Sequence, residues 1–224
     1  MAGKRNRSIQ CFAVMAIMLL LCSAGPGQKK GGNRIPSNNT NQLKDLVERA
    51  DFLLRTDDTS DVADQLYKQI VEKYPTSFEA GYAQLNRANY WQRKFYIVKA
   101  KTGVEDKRAL TSAESEFYNF LKKFGQSSNY DGLVADAHFN LALVYLQQGN
   151  RDNAIGWLNI IISNVSKRDP EVYVNKVVWS PDSRDLLDRK VNSRNLAEET
   201  KKLIEKNPSF DKVLSGIRAW CRKQ

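Results

Sequence analysis

The sequence predicts an all-α protein built as a solenoid of helical hairpins. Three observations carry that prediction. From residue 41 onward, apolar residues recur at the helical period through most of the chain. One pattern of small and bulky residues appears at Ala63 and returns at Ala113, Ala154 and Leu196. The spacings between copies are 50, 41 and 42 residues, the size of a repeated helix pair.

The first segment reads as a targeting signal. Lys4, Arg5 and Arg7 form a positive start, and Phe12 to Leu21 is an apolar run. Cys22-Ser23-Ala24 then offers the small residues that a signal peptidase reads. The run is shorter than the roughly 20 residues that span a bilayer. A signal peptide is expected over residues 1–24, with export to the periplasm or the extracellular space. A retained membrane tether and acylation at Cys22 are the alternatives, although Leu21 stands where a lipoprotein has a small residue. Residues 25–40 are rich in Gly, Asn and Lys and are expected to form a flexible linker.

Repeats are expected over residues 41–168. Leu43, Leu46, Val47, Ala50 and Leu54 make one helical stripe. Asp57 to Ser60 interrupt it and supply turn and cap residues, a role also expected of Asp61. Val62 to Tyr74 then form a second amphipathic helix that ends before Pro75. In that helix Ala63, Tyr67 and Ile70 set the repeated pattern. It recurs as Ala113, Phe117, Phe120 and as Ala154, Leu158, Ile161, and in degenerate form as Leu196, Thr200, Leu203. The small residue permits close helix approach, and the bulky ones fill the space between hairpins.

The second hairpin is overlong. Its first helix is expected to begin near Phe78 and to run past Phe95, with Arg93, Lys94, Lys99 and Lys101 alternating with Phe95, Tyr96 and Ile97. The preferred reading is a helix extension with inward aromatics and solvated lysines. The other reading is a basic, aromatic lip for an acidic partner or a membrane surface.

Residues 169–224 are expected to hold the degenerate repeat and C-terminal capping helices. Asp169-Pro170 breaks the preceding helix, and the β-branched stretch Glu171 to Trp179 is expected to lie extended. Ser180-Pro181 and Asn195 are candidate helix starts. A last helix from Ser209 places Phe210, Val213, Leu214, Ile217, Trp220 and Cys221 on one face. Such a helix seals the end of a solenoid.

The stretch Asn140 to Leu158 carries Leu141, Ala142, Tyr145, Gly149, Ala154 and Leu158 at ordered spacings. These resemble six consensus positions of the tetratricopeptide repeat (TPR) family. Leu66 to Ser77, followed by Ala80 and Ala83, resembles repeats in exported bacterial envelope proteins, of the outer-membrane assembly lipoprotein and periplasmic cell-division coordinator types. The resemblance covers residues 44–166 and, weakly, 180–208. It implies a TPR-like superhelix and a protein-binding scaffold in the cell envelope. It also implies that the first helix of each hairpin lines the concave face.

Composition narrows the chemistry. One His and three Cys among 224 residues leave little material for a metal or nucleophile site. No G-x-S-x-G, H-E-x-x-H or C-x-x-C pattern occurs. Neither a cofactor nor a metal is expected, and no enzymatic activity. His138 is read as a packing residue. The net charge of +10 sits at the chain ends, whereas residues 41–180 hold 18 basic and 18 acidic residues. A phosphate-tracking groove needs clustered cations on the folded body, so nucleic acid is not expected as a partner. The basic ends leave a second function open, binding to lipid or cell-wall glycan, with peripheral membrane contact.

The expected partner is another protein or a peptide segment. With Leu141, Ala142 and Tyr145 in packing positions, Asp136, Phe139, Leu143, Leu146 and Gln147 remain for a groove on the third hairpin. Three of the five are large and apolar, the kind of patch that marks a binding site when exposed. Leu133 to Leu146 is apolar almost all round, however, and a helix of that kind is usually buried. Cover by Glu171–Trp179 or by the second hairpin is the alternative, and the sequence favours it.

Overall fold

The computed structural model describes residues 37–55, 61–164, 171–173, 190–207 and 209–224, all within the unit Ser37–Gln224. The expected signal peptide, the Asp57–Ser60 turn, the Asp169-Pro170 break and the Ser180-Pro181 start lie outside the described residues. In order, the helices are α1 (Ser37–Arg55), α2 (Val62–Lys73), α3 (Phe78–Thr102), α4 (Lys107–Phe124), α5 (Asp131–Gln147), α6 (Arg151–Asn164), α7 (Ser193–Lys206) and α8 (Phe210–Cys221). A 3₁₀ turn at Ser128–Tyr130 leads into α5. Two short strands, β1 (Glu171–Tyr173) and β2 (Lys190–Asn192), pair antiparallel with Val172 opposite Val191.

The architecture is all-α, with each helix packed on the next in a TPR-like helical repeat. The repeated pattern lies where helices meet. Ala63, Tyr67, Ile70, Ala113, Phe117, Phe120, Ala154, Leu158 and Ile161 are all fully buried. Burying a large apolar side chain contributes about 1.5–3 kcal/mol, so these positions hold the hairpins together.

Local signals explain the boundaries. Ser77 accepts from the Ala80 amide at 3.1 Å and starts α3. Asp106 accepts from the Arg108 and Ala109 amides and starts α4. Between α5 and α6, Gly149 adopts φ 80°, a left-handed turn that glycine enters without strain. α1 begins at Ser37, inside the stretch read as a linker. The extra length of the second hairpin is regular helix, and α3 continues to Thr102.

The first hairpin is tied to the second by polar contacts. Asp51 of α1 accepts from the Tyr67 hydroxyl at 2.5 Å and from the Tyr82 hydroxyl at 2.8 Å. Burial in particular, and the carboxylate beside them, raise both phenol pKa values, so the bonds keep their donors. Asp61 does not cap α2 with its side chain. Held at φ 65°, it accepts instead from the Tyr90 hydroxyl at 2.6 Å and from Lys94 at 2.5 Å. This corrects the cap reading: the carboxylate bridges to α3.

At the C-terminal end, Asn192 starts α7 by accepting from the Asn195 amide, three residues before the expected start. α7 packs on α6 and leads into α8, so it is the first helix of the last pair. The sequence pattern had aligned it with second helices. Arg151 of α6 donates to the Ile204 and Asn207 carbonyls at the end of α7, where backbone acceptors lack helical donors. α8 starts at its Ser209 cap and buries Val213, Leu214, Ile217 and Cys221.

Candidate functional site

The five residues singled out by sequence all lie on α5. Phe139, Leu143 and Leu146 are buried, with Leu143 only 2% exposed. They share one apolar cluster with Val172, Val191, Leu196, Val213 and Ile217. β1, β2, α7 and α8 therefore cover this side of the third hairpin, and the three apolar residues do not line an open groove. Of the Glu171 segment that the sequence offers as cover, Val172 provides part, and residues 174–179 lie outside the described residues. Gln147 is half-buried, and among the described residues neither end of its carboxamide has a hydrogen-bond partner.

Asp136 belongs to a different environment, a buried polar seam between α3 and α5. Asn140 donates to the Asp136 carbonyl at 3.0 Å and to the Asn89 side chain at 3.5 Å. Asn89 in turn donates to Asn86 at 3.2 Å. All four side chains are buried. Buried amides need partners, and the seam supplies several, which links the first helices of the second and third hairpins.

The basic run at the end of α3 packs largely as expected. Phe95 and Ile97 are buried, and Tyr96 stacks on Phe210 of α8 with centroids 6.1 Å apart. The lysines are less free than expected. Lys94 pairs with Asp61, and Lys99 pairs with Glu105 at 2.9 Å. His138 stacks on Trp157 at 5.3 Å, and burial lowers its pKa to about 4. It is therefore neutral near pH 7.

An open cleft of about 560 Å³ lies on the other side of α3 from the seam, by the 3.6-residue period. Arg87 and Trp91 of α3 form part of it; Lys107, Arg108, Thr111, Ser112, Ser115 and Glu116 of α4 complete it. Arg87 meets Asp64 of α2 at 2.9 Å and Glu116 at 3.0 Å. Gln84 also donates to Glu116, at 2.5 Å. Trp91 packs against the apolar clusters of both the first and second hairpins, with the Lys94 ammonium 4.9 Å from its ring centroid. Sequence reading missed this site. Its only trace is a run of donors on one face of α4, from Lys107 to Ser115.

A tetratricopeptide repeat family model matches residues 136–167, which span most of α5 and all of α6. Within that segment Leu141, Ala142, Ala154 and Leu158 sit buried at helix contacts, as the repeat requires. No curated protein and no solved structure matches the chain. Fold and matched repeat together define a helical-repeat protein, and repeats of this kind commonly bind other proteins.

Proposed function

We propose that this protein is an exported TPR-like scaffold that holds a segment of another protein in the cell envelope. The observation that carries the reading is the matched repeat, whose consensus residues are spent on helix packing. Scaffolds of this kind act through surfaces built from stacked repeats. The export signal supports the envelope setting: positive residues, an apolar run, and Cys22-Ser23-Ala24 in the order that a signal peptidase reads. Of the five residues on α5, Phe139, Leu143 and Leu146 serve a partner in this reading only if the covering C-terminal elements yield that face, and Asp136 only if the seam with α3 opens.

The test is crosslinking of the full chain in the host that makes it, followed by capture at low and high salt. Recovery of one defined protein at both salts supports the scaffold. Salt-labile adsorption to membrane or cell wall, without a protein partner, supports binding of lipid or glycan through the basic ends and overturns the proposal. The intact mass of the recovered protein tests export. Loss of residues 1–24 is expected, and a retained Met1 or Ala2 overturns that part.

A further inference from the structure

The cleft between α3 and α4 is chemically one-sided. Arg87 is already engaged by Asp64 and Glu116, and Glu116 is further taken up by Gln84 and Asn119. The acids beside the cleft are engaged too: Glu105 by Lys99, and Asp106 by the first amides of α4. Among the described residues, no hydrogen bond or ion pair occupies the Arg108 guanidinium, the Ser112 and Ser115 hydroxyls, or the Trp91 indole N–H. Guanidinium, ammonium and indole groups donate and do not accept. Of the three cations in the lining, Arg87 is taken up by Asp64 and Glu116, which leaves Lys107 and Arg108 to meet a ligand. A ligand that fits must bring acceptors and negative charge, and an apolar part to lie on Trp91.

We propose that this cleft binds an acidic, extended segment of a partner protein, its carboxylates on Lys107 and Arg108 and an apolar side chain on Trp91. The inference rests on the scaffold reading and adds the place and the chemistry of the partner. Arg108 can take a carboxylate through two parallel hydrogen bonds. Lys107 and Arg108 open α4, so the positive end of its dipole lies on the same side. Two open cations at one cleft make a local site, not the extended stripe that follows a nucleic-acid backbone.

The experiment titrates the full chain into a fluorescein-labelled peptide of Glu and Gly around one Leu, read by anisotropy. The peptide is expected to bind, more weakly as salt rises. Lys107→Glu with Arg108→Glu, and separately Ser115→Glu, are expected to weaken it about tenfold or more. All three positions are exposed, so the melting temperature should hold. A peptide with Gln for Glu should bind at least tenfold more weakly. Equal binding of the Gln peptide, or unchanged binding by the charge-reversed variants, overturns the proposal. So does displacement by polyphosphate at equal charge concentration, or loss of anionic-vesicle binding in the same variants, which would mark a general polyanion site. If the charge-reversed chain still captures the same partner in its host, the cleft is not the site and the scaffold reading survives. If the wild-type chain captures none, that reading falls as well.

Discussion

Tyr130 lies against Gly81 so closely that a Cβ built on Gly81 would stand 2.3 Å from the ring. The phenol also donates to the Ser77 carbonyl at 3.2 Å, and Phe78 stacks on the ring at 5.2 Å. The turn before α5 is thereby pinned to the start of α3. Gly81→Ala should push the ring away and cost about 1–3 kcal/mol, measured by denaturant unfolding. Wild-type stability in that variant would mean that the contact does not hold the turn.

Arg87 joins three helices, and its side chain is 16% exposed against 13% for Asp64 and 15% for Glu116. Removing it leaves two largely buried carboxylates without their shared cation. Arg87→Met should cost about 2–4 kcal/mol, because a buried charge without its partner is expensive. Arg87→Lys should recover only part, since one ammonium cannot reproduce the planar fork. Adding Asp64→Asn and Glu116→Gln to Arg87→Met should restore much of the loss. Thermal melts of this set check the account.

Leu143 tests the cover over the third hairpin. It belongs to the C-terminal apolar cluster and is 2% exposed. Leu143→Glu should lose several kcal/mol, because the carboxylate would be desolvated with no partner. A variant that melts like wild type would show that β1, β2, α7 and α8 leave this side open.

His138 should make stability pH-dependent. Its folded pKa is about 4, below the ordinary 6.5, because burial disfavours the charged ring. Between those values the unfolded chain binds the proton and the folded chain does not. Stability is therefore fully present above pH 6.5 and falls as the pH drops toward 4, by on the order of 3 kcal/mol. His138→Phe keeps the stack on Trp157 and should flatten that window in melts taken across the pH range. An unchanged slope would assign the loss to other groups.

Much of the fold was legible from residue types and spacing alone. The recurring positions Ala63, Ala113 and Ala154, with their bulky partners, mark helix contacts because a helix brings i, i+4 and i+7 to one face. The Ser209 start and the seal formed by α8 were legible for the same local reason. The alignment of Leu196 and Thr200 with second helices failed. The same spacing serves either helix of a pair, and only packing on α6 assigns α7 to the first place.

The sequence by itself determined the helical period, the repeat and the neutral charge of the body, because these depend on neighbours within a turn or two of chain. Tertiary structure alone decided which faces remain open. α5 is apolar almost all round, so its pattern could not say which side a later segment would cover; Val172, Val191 and α7 settle that from outside the hairpin. Arg87 finds Asp64 and Glu116 at separations of 23 and 29 residues, and those pairings satisfy the acids that would otherwise offset Lys107 and Arg108. A cleft is a relation between helices, and its charge is set by which side chains are already paired. Neither is written in the spacing of residues along one helix.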